Sequence, residues 1–261
     1  MTTNEDHFWT VAEALADRAR SETLRYFRTS ELNTETKSVD FDPVTQADRS
    51  AEAAMRALLD EMRPDDGILG EEHGSKIGTN GLTWVLDPID GTRGFISGTP
   101  TWGVLIALSD EAGPKLGIID QPYIGERFMG GMGRAEVVGP LGRHALAVND
   151  CTELSEATLF TTFPEVGTPE EGAAFRAVAE RVKLVRYGCD CYAYALLAAG
   201  QIDLVIEAGL QAYDVQAPIA VIEAAGGVVT DWAGEPAHQG GRVLAAATPE
   251  LHAAALQFLQ A

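Results

Sequence analysis

The 261-residue sequence predicts a layered α/β fold, and three observations carry that expectation. Helical periodicity opens the chain, short apolar strands broken by glycine turns fill its middle, and strands alternate with helices through the second half. A sheet and an amphipathic helix each have an apolar side to bury, so such a succession stacks into layers. With 46% hydrophobic residues and 27 glycines, the composition is that of a globular chain able to bury a substantial core. No internal repeat or long linker divides it. One domain over residues 1–261 is expected, with an N-terminal α+β lobe to about 150 and a C-terminal α/β lobe from about 151.

Phe8, Val11, Ala12, Leu15, Ala19 and Phe27 recur at helical spacing, which predicts an amphipathic helix over Glu5 to Arg28. The polar stretch from Asn33 to Asp42 has no periodicity and reads as a loop. Thr45 then caps a second helix that Pro64 and Gly67 end, before a short strand at Ile68-Leu69. Val85-Leu86, Trp102 to Leu108, Gly117 to Asp120 and Glu126 to Met129 read as strands, and Gly130 to Gly142 as a meander. Beyond these, strands at Leu159–Thr162, Leu184–Arg186, Ile202–Ile206, Val228-Val229 and Val243–Ala246 alternate with helices. The helices run over Pro169–Val182, from Cys191 to a Gly200 cap, from Asp214 through Ala225, and onward from Pro249.

A formal net charge of −20 argues against nucleic acid or an anionic membrane as partner. No apolar run has the length of a membrane span, and the polar opening resembles no signal peptide, so a cytoplasmic protein is expected. Three cysteines, Cys151, Cys189 and Cys191, give no disulfide framework; the C-x-C pair reads as small buried residues.

Chemistry concentrates in Trp84-Val-Leu-Asp87-Pro-Ile-Asp90-Gly-Thr92. An apolar strand ends in two carboxylates three residues apart, and Pro88 is expected to stop the strand from continuing as a paired central element. Anions held so close repel one another unless a cation lies between them. Oxygen donors on a stiff turn suit a hard cation such as Mg²⁺, Gly91 admits a close ligand, and the Thr92 hydroxyl can hold water or phosphate oxygen. Asp-Gly is also ordinary turn punctuation, and Asp214 could simply cap its helix. Asp48, Glu71, the Asp87/Asp90 pair and Asp214 all stand at element ends with apolar or glycine-rich flanks, which carry carboxylates toward the interior.

Pro43-Val-Thr-Gln-Ala-Asp48, Gly70-Glu71-Glu72, Asp87-Pro-Ile-Asp-Gly-Thr92 and Tyr213-Asp214-Val-Gln-Ala-Pro with Gly226-Gly227 resemble, in order, the signatures of the inositol-monophosphatase superfamily. The resemblance implies an α-β-α-β-α sandwich and a homodimeric Mg²⁺-dependent phosphomonoesterase using two to three ions per site. By position, Glu71, Asp87 and the Ile89 carbonyl would bind one ion, and Asp87, Asp90 and Asp214 a second. Asp48 and Thr92 would orient the attacking water, which Glu71 would help to activate. Asp90, Gly91, Thr92 and Asp214 would also face the phosphate end of the substrate. Asp42 and Tyr213 depart from residues frequent in the family, and Lys37 is a possible counterpart of its mobile-loop lysine.

Within that superfamily, Asp90-Gly-Thr-Arg-Gly-Phe through Leu108, Gly117-Ile-Ile-Asp-Gln-Pro122, Gly188-Cys-Asp-Cys-Tyr-Ala-Tyr194 and Glu207-Ala-Gly-Leu-Gln-Ala-Tyr-Asp214 resemble the histidinol-phosphate phosphatase branch. That resemblance implies Arg186, Asp190 and Glu207 in the substrate pocket, where carboxylates would suit an ammonium and an imidazole. Arg186 could instead pair with Asp190 and shape the wall. Inositol 1-phosphate or several small phosphate esters are the enzyme alternative, and a metal- or phosphate-binding regulator is the non-enzyme one.

Overall fold

The computed structural model describes residues 4–30, 32, 34–36 and 43–260. Helix α1 (Asn4–Tyr26) buries Phe8, Val11, Ala12, Leu15 and Ala19, the stripe its spacing marks out, and Phe27 just beyond is buried as well. The stretch read as a loop contains a strand: β1 (Thr34–Thr36) pairs antiparallel with β2 (Pro43–Thr45). Three residues are too few to display a strand period, so only the pairing reveals it. Lys37 and Asp42 lie outside the described residues. Thr45 caps α2 (Gln46–Met62) as expected, its Oγ1 accepting from Ala47 N at 3.1 Å.

The larger sheet has the order β10-β9-β8-β7-β6-β5-β3-β4. Its members are β3 (Gly67–Gly70), β4 (Gly74–Lys76), β5 (Thr83–Asp90), β6 (Gly103–Asp110), β7 (Gly113–Gln121), β8 (Glu126–Gly131), β9 (Arg134–Gly139) and β10 (Gly142–Ala145). A short helix α3 (Thr92–Ile96) follows β5. The second sheet, ordered β12-β11-β13-β15-β14, comprises β11 (Thr158–Thr161), β12 (Leu184–Tyr187), β13 (Leu204–Gln211), β14 (Val228–Thr230) and β15 (Gly240–Ala246). Helices α4 (Pro169–Ala179), α5 (Cys191–Ala198), α6 (Ala212–Ala224) and α7 (Pro249–Leu259) complete the alternation.

Residue alternation along the central strands sorts the layers. Trp84, Leu86, Val104, Ile106 and Leu108 pack with Phe8, Leu15, Met55 and Leu59 of α1 and α2. Val85, Leu105 and Ala107 face the other way, into a core shared with Leu197 of α5, Val215 and Val221 of α6, and Val205 and Val243 of the second sheet. Leu204, Ile206 and Leu244 turn to the far side, against Phe175 of α4 and Leu251 of α7. The result is α-β-α-β-α, with α5 and α6 enclosed between sheets. Helix α6 is accordingly apolar nearly all round and buried from Val215 to Ile222. No helix among the described residues is long and apolar enough to cross a membrane.

Pro88 does not end β5. The ladder with β6 runs regularly to Asp87↔Leu105 and resumes at Asp90↔Gly103, so one extra residue is absorbed as a bulge. Proline is tolerated there because a bulge leaves a backbone N–H out of the ladder anyway.

Glycines set how closely α6 lies on the first sheet. A Cβ at Gly117 or Gly130 would run into backbone atoms of Ala217 or of Ala220 and Val221. Gly130→Ala is therefore expected to lower unfolding free energy by about 1–3 kcal/mol, the range for overpacking a tight core. Urea denaturation measures it, and an unchanged midpoint would show that α6 has room to shift.

Candidate active site

The bulge at the end of β5 aims its carboxylates. Asp87 is 2% exposed, and its Oδ1 accepts from Ile89 N at 3.0 Å, which closes the turn around Pro88. The Ile89 carbonyl accepts from Thr92 Oγ1 at 3.1 Å, fixing that hydroxyl beside the same turn. Gly91 has φ +84°, and a Cβ there would lie 2.7 Å from Asp190 Cγ. Only glycine meets both constraints.

Four further elements converge on this turn. Helix α2 contributes Asp48 from its first turn, where Oδ2 accepts from Thr45 N at 2.8 Å and Thr45 Oγ1 at 2.5 Å. Its other oxygen, Oδ1, is buried without a hydrogen bond. Glu71 follows β3, and its N–H donates to the Leu86 carbonyl of β5 at 3.3 Å. Asp214 lies in the first turn of α6, where Oδ2 accepts from Gln211 N at 2.6 Å. The cap itself is Gln211, so Asp214 closes the helix from inside rather than heading it. Asp190, at φ +47°, precedes α5, whose first N–H (Cys191) donates to Asp90 Oδ2 at 2.5 Å.

One oxygen from each of Asp87, Asp90 and Asp214 lies within 4.8 Å of the others. Burial raises the pKa of all three. Repulsion from Glu71, Asp90 and Asp214 adds to it at Asp87, from Asp190 and Asp214 at Asp90, and from Glu71 and Glu207 at Asp214, where hydrogen bonds to Gln211 and Asp87 act the other way. Burial likewise lifts Asp48 to about 7, against the Thr45 hydrogen bonds that favour its anion. Elsewhere buried carboxylates are met by arginine: Asp120 by Arg20 and Arg127, Asp66 by Arg63, Glu52 by Arg56. None of the described lysines or arginines forms such a bridge to Asp87, Asp90 or Asp214. All-oxygen donors, a buried carboxylate oxygen with no hydrogen bond (Asp48 Oδ1) and anion repulsion that no basic side chain bridges fit a small hard cation.

Beside the cluster opens a pocket of about 290 Å³ lined by Asp90, Gly91, Thr92, Asp190, Glu207 and Asp214, among others. Glu207, on β13, is buried and accepts from Thr162 N at 2.9 Å, Thr162 Oγ1 at 2.6 Å and Tyr194 OH at 3.3 Å. Burial raises it to about 7. Arg186, expected in the substrate pocket, is not among the residues that line it. It is exposed on β12, the edge strand of the second sheet, while the pocket is lined from the ends of β11 and β13.

The chain matches the model of the inositol monophosphatase family over residues 4–261. It belongs to that family. This is a family of phosphatases that is generally metal-dependent, in keeping with the acidic cluster. A bifunctional phosphatase IMPL2, chloroplastic, of Arabidopsis thaliana is 45% identical over 235 residues, covering 89% of this chain and 66% of that protein. A histidinol-phosphatase of Mycobacterium tuberculosis is 36% identical over 90% of this chain and 91% of its own length. The solved structure of an inositol monophosphatase from Zymomonas mobilis superposes with a TM-score of 0.86 at 36% identity, covering 100% of both chains.

Several lining residues of this inositol monophosphatase family member, Arg93 and Tyr194 among them, received no role from the sequence even where a quoted motif contained them. Arg93 and Phe163 meet at the pocket mouth, the guanidinium 5.1 Å from the ring centre, although one lies on α3 after the first sheet's β5 and the other follows β11 of the second sheet. Thr162 and Tyr194 became visible only as the partners of Glu207.

Raised carboxylate pKa values have a definite sign in stability. Asp48 and Glu207 keep their protons to about pH 7 when folded, whereas unfolded carboxyls lose them near pH 4. Between those values the folded chain binds more protons, so this contribution is full below about pH 4 and is lost as pH rises through 7. A bound cation favours the ionised cluster and opposes that loss. The melting temperature of metal-free protein is expected to fall from about pH 5 to pH 8, with a larger Mg²⁺-induced rise at the higher pH. Equal rises at both pH values would contradict the assignment.

Proposed function

We propose that this protein is a Mg²⁺-dependent phosphomonoesterase that hydrolyses L-histidinol phosphate to L-histidinol and phosphate. One observation carries the substrate choice. Beyond the metal cluster, the pocket presents Asp190, Glu207 and Glu165, against Arg93 as the cation among its lining residues. Carboxylates left over after cation binding suit a substrate whose organic end carries an ammonium and an imidazole. Such a cation would also draw Glu207 into its charged form. Similarity to the Mycobacterium tuberculosis histidinol-phosphatase supports this reading.

Bound Mg²⁺ would neutralise phosphate charge and lower the pKa of a coordinated water. Glu71, Asp87, Asp90, Asp214 and the Ile89 carbonyl would hold the ions, two to three in number. Asp48 would orient the attacking water through Oδ1, the oxygen left without a hydrogen bond. Thr92, oriented by its bond to Ile89, would hold that water in line with the ester, and Glu71 would assist its activation. Backbone N–H groups at Gly91 and Thr92 would steady phosphate oxygens. Asp190 and Glu207 would bind the organic end. A homodimer and a cytoplasmic location complete the proposal, resting on the resemblance to the family.

Inositol 1-phosphate, or a broader set of small esters, is the second reading. It is favoured by the Zymomonas mobilis structure and by the ability of the Glu207 carboxylate to accept hydroxyl hydrogen bonds.

Mg²⁺-dependent phosphate release from both esters separates the two. The kcat/KM for L-histidinol phosphate should exceed that for inositol 1-phosphate by about 10- to 100-fold, the worth of one charge-assisted hydrogen bond. Glu207→Gln should shrink that ratio with little change in Mg²⁺ dependence. Asp90→Asn should lose Mg²⁺ affinity and turnover together. Preference for inositol 1-phosphate would overturn the substrate, and full turnover by Asp90→Asn would remove Asp90 from the metal shell.

A further inference from the structure

Glu52 lies on α2, one turn after Asp48, and is fully buried. Its carboxylate reaches the turn that carries Glu71: Oε2 accepts from Glu72 N at 2.6 Å and Oε1 from His73 N at 3.1 Å. Arg56, one turn further along α2, bonds Oε1 through Nε at 2.7 Å and balances the charge. Gly70 completes the fit, because a Cβ there would collide with the Glu52 carboxylate. On its other side the turn is fixed by the Glu71 N–H on Leu86, the residue before Asp87. Glu71 is thus clamped between the helix that bears Asp48 and the strand that bears Asp87 and Asp90.

We propose that Glu52 is a positioning residue for divalent-cation binding, holding Glu71 in register with Asp48 and Asp87 through backbone N–H groups. The proposal rests on the reading of the acidic cluster as a cation site. Two backbone donors and a guanidinium are more than a surface helical glutamate needs, and both donors follow Glu71 directly. Without the carboxylate, the Glu72 and His73 N–H groups lose their acceptor and the turn is free to relax away from β5.

Calorimetric Mg²⁺ titration of purified Glu52→Gln and Glu52→Asp tests this, beside wild type and Asp66→Asn. Glutamine turns an amide donor toward donors, and aspartate keeps the charge but withdraws it by one methylene. Asp66→Asn removes a buried carboxylate at the opposite end of β3 and β5, where it holds Arg63 and Trp84 Nε1. Both Glu52 variants should bind Mg²⁺ about 10- to 100-fold more weakly, the usual effect of losing a partner that orients a metal ligand. At saturating Mg²⁺ their KM for the phosphate ester should stay within about twofold of wild type, since Glu52 does not line the pocket. Asp66→Asn should lower the melting temperature and leave Mg²⁺ affinity unchanged. Wild-type Mg²⁺ affinity in either Glu52 variant would overturn the proposal. Wild type that binds no Mg²⁺ would overturn the cation reading itself. If Glu52→Gln does not fold, Glu52→Asp decides.

Discussion

Three carboxylates brought within a few ångströms, Asp87 buried and Asp90 and Asp214 half-buried, with no basic side chain of the described residues bridging to them, are the constraint around which this molecule is built. Isolated, such a cluster repels itself and takes up protons, which is the direction in which Asp87, Asp90 and Asp214 are displaced. Of the other buried carboxylates, Asp120, Asp66 and Glu52 are neutralised by arginine, and Asp203 and Glu207 are met by neutral hydrogen-bond donors, whereas no basic side chain among the described residues bridges to this cluster. That asymmetry separates a cation site from a merely acidic core. It also explains how a protein of net charge −20 could receive a phosphate ester, since the charge that meets the ester would be that of bound cations.

Holding the cluster together requires a rigid frame, and the five layers supply one. Each carboxylate stands at the start of a helix or the end of a strand: Asp48 on α2, Glu71 after β3, Asp87 and Asp90 on β5, Asp214 on α6. Backbone geometry at those ends is fixed by hydrogen bonds rather than by side-chain packing alone. The Thr45 and Gln211 capping boxes use the functional carboxylates themselves as caps. One group therefore both terminates its helix and faces the site. Helix α6 can bring Asp214 to β5 only because Gly117 and Gly130 let it lie against the sheet.

Much of this was legible in the sequence. The succession of strands and helices pointed to layers, Thr45 marked a cap, and apolar or glycine-rich flanks drew attention to Asp48, Glu71, Asp87, Asp90 and Asp214. The rest lay in relations that periodicity does not encode. Pro88 suggested a strand end because a regular ladder cannot hold it, but a bulge can. Strands β1 and β4 are three residues long and show no alternation. Arg186 occupies a strand as expected, yet nothing in its flanks says that the strand is the edge of its sheet. Glu52 looks like any solvated helical glutamate, because its partners are main-chain N–H groups twenty residues away. Arg93 and Phe163 meet only when the two sheets are stacked.

Crystals of the protein soaked in Mn²⁺ and measured for anomalous scattering would test the central claim most directly. At least one peak is expected between Asp87, Asp90 and Asp214, with Glu71 or the Ile89 carbonyl within coordination distance of it or of a neighbouring peak. A Mn²⁺-saturated crystal with no peak there would show that the carboxylates are held together without a cation, and would contradict the account.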